Sequence, residues 1–415
     1  MTTLSSLCEL IVDCEHRTAP TVPSGYPLIR TPDIGVGRLY VDGAQRVDEE
    51  TYRSWTKRAV PREGDIILAR EAPVGNVGIV LPGVRPVLGQ RTVLIRTRAN
   101  VLDPYYLNYL LSGPGLRAWM VGVSSGATVP HLNMADIRAM VLPSLPLIDT
   151  QRKIAAVLSA YDYLVENNNR RIKLLEEVAK RLYQEWFADF RYPGHKNVLL
   201  VDSEIGPIPR GWKVLAIEDV GRLVTGTTPP SGAPEWWGSE VAFVTPTDLS
   251  YGRIWVAPER RLSALGAQKL ASRLLPTGAV CFTCIGATIG KICITHEPSI
   301  TNQQINSVIP ATDRVNSDFL FHKLTTDADR IRGTAGGAAT PIISKSSFGA
   351  IRLGWPPLDL QNLFGRHVHE CHELVASLER QNEVLRSSRD LLLPLLISGE
   401  IDVAHLDIAM PEAAA

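Results

Sequence analysis

The sequence predicts an α+β protein: two similar domains of strands and short helices, separated by two long helices that pair as an antiparallel coiled coil, with a pseudo-twofold internal repeat. Three observations predict it. Segments of the first half recur in the second at an offset drifting from 215 to 210, each half runs through a proline-marked junction into a long heptad pattern, and both heptad patterns carry one asparagine near the middle.

The repeat sets the elements in order. IRTPDI (29–34) matches FVTPTDL (243–249) with Ile34 and Leu249 in register, and GDIILAREAPVGNVGIV (64–80) matches GAVCFTCIGATIGKICI (278–294), so that Gly75 answers Gly290. GATVPHLNMADIRAMVLPSLPLIDTQ (126–151) matches GAATPIISKSSFGAIRLGWPPLDLQ (337–361), pairing Pro130 with Pro341 and Gln151 with Gln361. Residues 1–146 and 207–355, rich in glycine and β-branched residues, are therefore two copies of one mixed fold. Residues 147–206 form a central helix and linker, 356–402 a distal helix, and 403–415 a tail.

The central helix is expected from about Asp149 to Phe190, with a seam at Ile154, Leu158, Tyr161, Val165, Asn168, Ile172, Leu175, Ala179, Leu182 and Trp186. A shift of 210 gives the distal seam: Phe364, Val368, Cys371, Val375, Leu378, Asn382, Leu385, Arg389, Leu392 and Leu396. If the helices run antiparallel with residue numbers summing to 550, Ile154 meets Leu396, Trp186 meets Phe364, and Asn168 meets Asn382. A buried amide is tolerated where a second amide satisfies it, and the pair then sets register at some cost in stability. Ile154 to Trp186 would span about 50 Å at ~1.5 Å per residue.

Composition excludes several classes. With 45% hydrophobic residues in 415, the chain can fill two or three cores, and its longest apolar runs are far shorter than a membrane span. Six scattered cysteines suggest no disulfide framework, and a start without a basic segment points to a cytoplasmic protein. Net charge is +0, but its distribution is uneven: 15 basic against 13 acidic residues in 1–146, 9 against 9 in 147–206, 15 against 11 in 207–355, and 4 against 10 in 356–415. The two repeated blocks are the basic ones. Fourteen of the fifteen cations in the first are arginine, suited to bidentate contact with phosphate and guanine.

Catalytic motifs fail on inspection. DPYY (103–106) departs from the D-P-P-Y of amino-methyltransferases at Tyr105, and Asp103 capping a helix that opens on Pro104 explains it. GATIGKI (286–292) is a spacer short of a phosphate loop and has Ile292 where a hydroxyl should hold magnesium. Cys281, Cys284, Cys293 and His296 fit no common zinc spacing and read as apolar strand, while His367, His369 and His372 fall on the distal helix. No nucleophile, acid–base pair or metal site stands out.

The two helix-opening segments PLIDTQRKIAAVLSAYDYLVENNNRRIKLLEEV and PPLDLQNLFGRHVHECHELVASLERQNEVL, with the closing LLISGEIDV and the block signatures GDIILAREAPVGNVGIV and GATVPHLNMADI, resemble the specificity subunit of type I restriction-modification systems along nearly the whole chain. Departures from the pattern are GAATPIISKS, which lacks the histidine after proline, and NLFGRHV in place of a basic QRxI. The resemblance implies two target-recognition domains reading a bipartite site in double-stranded DNA. It also implies a chain without catalysis or cofactor of its own, joining two methyltransferase subunits that bring S-adenosylmethionine and restriction subunits that use ATP and magnesium. The alternative is a DNA methyltransferase with a fused recognition domain, which would need a cofactor glycine loop and an intact D-P-P-Y.

Polar residues at matched points of the repeat, set among glycine and proline, are the DNA-contact candidates. In the first block these are Arg30, Arg70, Asn76, Gln90, Arg91, Thr128 and His131; in the second, Thr245, Lys291, Gln303, Gln304, Thr340, Ser344 and Lys345. Gln90 and Arg91 match Gln303 and Gln304, and Thr128 and His131 match Thr340 and Ser344. Arginine can fork to guanine, glutamine to adenine, and small hydroxyls to base or backbone.

Overall fold

The computed structural model describes residues 2–126, 130–194, 198–336 and 340–408. They divide into two units, Met1–Val165 with Val384–Ala415, and Glu166–Glu383. Each holds one mixed block and a stretch of both long helices.

In the first unit a five-stranded sheet runs in the order Cys8–Asp13, Thr92–Thr97, Ile66–Ala69, Val77–Ile79, Val36–Gly37. The first three pairings are antiparallel and the last parallel. A second sheet orders Gln45–Val47, Tyr26–Ile29 and Val87–Leu88, antiparallel then parallel. The second unit repeats this plan. Gly221–Thr225, Ile305–Pro310, Val280–Thr283 and Ile292–Ile294 form one antiparallel sheet, and Arg260–Leu262, Val241–Val244 and Ser299–Thr301 form the core of the other, again antiparallel then parallel.

The continuous apolar strand IILA follows from burial on both faces. Ile66 and Leu68 face the core beneath the helices Pro104–Ser112 and Pro114–Val123, while Ile67 and Ala69 face a separate core on the other side. Its counterpart VCFT does the same, Val280 and Phe282 one way and Cys281 the other. Gly75 and Gly290 turn the following hairpins at φ of +82° and +98°, where a side chain would be strained. Asp103 caps its helix as expected, its Oδ1 accepting from Tyr106 N at 2.9 Å; the DPYY segment is a helix start.

The central helix runs Ile148–Tyr183 and then widens into a π turn, Gln184–Ala188, which brings the successive aromatics Trp186 and Phe187 both into the core; it stops short of the expected Phe190. The distal helix runs Leu358–Ser398. Within the first unit their stretches pack antiparallel: Ile154 and Leu396 share one core, and Asp162 pairs with Arg389 while accepting from Tyr109 Oη at 2.5 Å. In the second unit the Trp186 and Phe364 rings lie 6.0 Å apart, and Asn168 Nδ2 donates to Asn382 Oδ1 at 3.1 Å. Asn382 in turn donates to Asn169 Oδ1 at 3.1 Å, so that the fully buried amide has two partners.

One glutamine fastens each helix to its block. Gln151, 1% exposed, accepts from Asp103 N at 3.0 Å and donates to Pro146 O and Val101 O at 2.9 and 3.2 Å. Gln361 accepts from Asn316 N at 3.2 Å and donates to Pro356 O at 2.8 Å. Asp103 and Asn316 are themselves helix caps, so one side chain ties the start of the long helix to the start of a domain helix. Among the described residues no helix is long and apolar enough to cross a membrane.

Candidate nucleic-acid interface

Antiparallel pairing brings three chain segments to one end of the main sheet in each unit. In the first, Arg70 N donates to Arg91 O at 2.9 Å and Leu132 N to Arg70 O at 3.0 Å. In the second, Cys284 N donates to Gln304 O at 2.8 Å and Ile343 N to Cys284 O at 2.9 Å. The shared backbone pattern makes Arg91 equivalent to Gln304, Arg70 to Cys284, and His131 to Ile342. The turn of the second sheet joins the same end: Gly89 N donates to Ile29 O at 2.8 Å beside Arg30, and Asn302 N to Val244 O at 3.1 Å beside Thr245. Arg30 and Thr245 both open a turn closed by an aspartate, Asp33 and Asp248, which accepts from their backbone N–H groups at 2.9 and 2.7 Å.

The two ends differ in chemistry. At the first, arginines, histidines and carboxylates interlock: His16 and Arg70 meet Asp13 at 3.0 and 2.7 Å, Arg70 also donates to His131 at 2.6 Å, and Glu71 holds His131 at 2.8 Å and Arg91 at 2.9 Å. Arg91 is exposed and sits at φ +66°, a left-handed conformation rare for arginine, at the tip of the strand junction. At the second, the equivalent side chains are neutral: Thr228 Oγ1 donates to Gln303 Oε1 at 2.7 Å and Asn302 Nδ2 to Gln304 Oε1 at 3.3 Å, while the exposed Arg273 donates Nη1 to Thr225 O at 3.0 Å. Ile342, half exposed, stands where His131 stands in the first unit. An exposed row of donors and acceptors on a sheet end can read base edges.

A family model described as "Type I restriction modification DNA specificity domain" matches the chain twice, at residues 23–177 and 209–385. The chain belongs to that family. It is a specificity subunit of the type I restriction-modification kind, whose part is DNA sequence recognition. Over 375 residues it is 27% identical to the HindI specificity subunit of Haemophilus influenzae, covering 76% of this chain and 81% of the relative. It is 24% identical to the MjaIX specificity subunit of Methanocaldococcus jannaschii, covering 89% and 84%. A solved S subunit of a type I restriction-modification system from M. genitalium shares the fold, with a TM-score of 0.62 at 14% identity over 95% of both chains.

Within this specificity subunit the candidate residues separate by environment. Gln90, Arg91, Gln303, Thr340, Ser344 and Lys345 are exposed, and Arg30, His131, Thr245 and Gln304 partly so. Thr128 lies outside the described residues. Three candidates bond within the fold instead, Arg70 and Asn76 buried and Lys291 partly exposed. Arg70 is 6% exposed, with Nε on Leu132 O at 2.8 Å and its other nitrogens on Asp13 and His131, so it braces the sheet end and does not present a fork to guanine. Asn76, also buried, donates to Ile34 O at 2.9 Å and accepts from Arg117 at 3.0 Å. Lys291 occupies the equivalent place and donates Nζ to Pro246 O at 3.0 Å. Both tie the hairpin to the turn of the second sheet.

His131 answers Ile342, not Ser344; Ser344 is the cap of Lys345–Gly349, the place held by Asn133 before Met134–Ala139. Matching polar with polar hid this, because the residue type changes at the position while the backbone bond does not. Asp13 and Glu71 were missed. Their signal is faint: a carboxylate directly after Arg70, and another at a strand end 57 residues away from it.

Proposed function

We propose that each unit of this chain reads one half of a bipartite duplex site through the exposed sheet end, Gln90 and Arg91 in the first and Gln303 and Gln304 in the second. The chain performs no chemistry on DNA itself. It scaffolds two methyltransferase subunits, which supply S-adenosylmethionine, and restriction subunits that use ATP and magnesium, in the cytoplasm where its DNA substrate lies. In functional terms, residues 1–146 and 207–355 are the readers and the helices 147–206 and 356–402 are the scaffold. The observation that carries this is the repeated strand junction: one backbone frame, used twice, presenting exposed side chains that differ between the copies. A frame that holds its bonds while its exposed residues vary suits the reading of two different sequences.

The test is binding of the full chain, alone and with its methyltransferase partners, to duplex pools across a salt series. Replacing Gln90 and Arg91 together by alanine should abolish preference in one half-site and leave the other intact, at about 1 to 3 kcal/mol per lost base contact. Arg70 is left in place because its removal would strip hydrogen bonds from Asp13 and from the buried Leu132 O. Unchanged preference in both half-sites, or loss of both with the fold intact, overturns the assignment. Methyl transfer or cleavage by the purified chain without partners overturns the non-catalytic role.

A further inference from the structure

The two sheet ends share a backbone frame and carry opposite chemistry, and hydrogen-bond complementarity to base pairs turns this into a statement about sequence. Glu71, its side chain 15% exposed, accepts from His131 at 2.8 Å and from Arg91 Nε at 2.9 Å, and so holds the exposed guanidinium of Arg91, whose outer nitrogens form a donor fork. Guanine offers O6 and N7 acceptors to such a fork. The fork is thus complementary to the guanine of one G·C base pair. An adenine, with a donor at N6, would face a guanidinium that has no acceptor.

The second end has no charged group at the equivalent positions. Gln304 replaces Arg91 and Gln303 stands beside it, two amides that each combine a donor and an acceptor, as adenine N7 and N6 require. Ile342, replacing His131, is 53% exposed although the backbone bonds on either side hold it firmly, Ile342 N to Gly336 O at 3.0 Å and Ile343 N to Cys284 O at 2.9 Å. An exposed, rigidly held aliphatic group beside two amides has an apolar partner in the thymine methyl. We infer that the first unit recognises a half-site specified by G·C pairs through Arg91, held in place by Glu71, and the second a half-site specified by A·T pairs through Gln303, Gln304 and Ile342.

This rests on the sheet ends being the DNA-reading surfaces. It is tested by selecting bound duplexes from a randomised pool with the full chain in complex with its methyltransferase partners, then repeating the selection with Arg91→Gln and Gln304→Arg. Both substitutions place at an exposed or partly exposed position the residue type its repeat partner already carries. Wild type should yield one G·C-specified and one A·T-specified half-site. Arg91→Gln should cost about tenfold in preference for guanine at one position of the first and leave the second unchanged, with Gln304→Arg doing the reverse. Replacing thymine by deoxyuridine, which lacks only the methyl group, should weaken wild type several-fold in the A·T half-site and have no effect on Ile342→Ser.

The outcomes separate. If wild type selects specific half-sites but their composition is mixed or reversed, or if the swaps move neither, the base assignment is overturned while the interface stands. If both swapped chains keep wild-type preferences in every half-site and the Gln90/Arg91 double variant does too, the interface itself is wrong.

Discussion

Replacing Asn382 by alanine tests whether the asparagine pair holds the helices of the second unit in register. Asn382 is fully buried, accepts from Asn168 and donates to Asn169. Two amide bonds are lost, each worth roughly 1 kcal/mol net, and Asn168, itself only 6% exposed, is left with an unsatisfied donor that costs about 1 to 3 kcal/mol more. Asn169 is partly exposed, so water replaces its lost bond, and alanine regains up to about 0.7 kcal/mol in helix propensity. The net loss should be about 2 kcal/mol, read as a lower urea midpoint of the full chain. Asn168→Ala and the double variant complete a cycle, whose coupling should exceed about 0.5 kcal/mol. The double leucine variant should recover stability, because no polar group is then stranded, while giving up the constraint on register. A loss under about 0.5 kcal/mol for Asn382→Ala, or additive single variants, would refute the reasoning.

Gln151→Ala should cost about 2 to 3 kcal/mol, since it strands the backbone groups of Asp103 and Pro146; a urea midpoint within error of wild type would show that the glutamine is not the fastening. Glu176 gives the chain a pH dependence. Burial, with Glu379 adding to it and Arg253 opposing, raises its carboxyl from the ordinary 4.5 to about 7. With the folded value above the unfolded one, its contribution to stability is complete below about 4.5 and is lost as pH rises through about 7. Stability of the wild type should therefore fall between pH 5 and 8 more steeply than that of Glu176→Gln, and an equal fall in the urea midpoints of the two proteins between those pH values would dismiss this. Arg389→Ala should destabilise the first unit by freeing Asp162, which also holds Tyr109; exchange of the Tyr109 region measured by hydrogen–deuterium labelling should rise, and no change would argue against that link.

What the sequence determined by itself is whatever depends on period and order. Heptad spacing is a property of one helix, so the seams from Ile154 to Trp186 and from Phe364 to Leu396 were legible residue by residue, and their shared phase brought Asn168 opposite Asn382. The doubled fold was legible because both copies keep the glycines that turn their hairpins and the glutamines that fasten their helices. The tertiary structure alone decided which polar residues face outward. Arg70 and Arg91 look alike in a sequence, but Arg70 N bonds to Arg91 O across two strands, and that pairing buries one guanidinium against Asp13 while leaving the other at the surface. His131 and Ile342 each follow the matched prolines Pro130 and Pro341, yet only the backbone bonds show that they stand at the same point of the sheet end. Exposure at a loop is set by strands distant in sequence that close over it, and no local pattern encodes which they are.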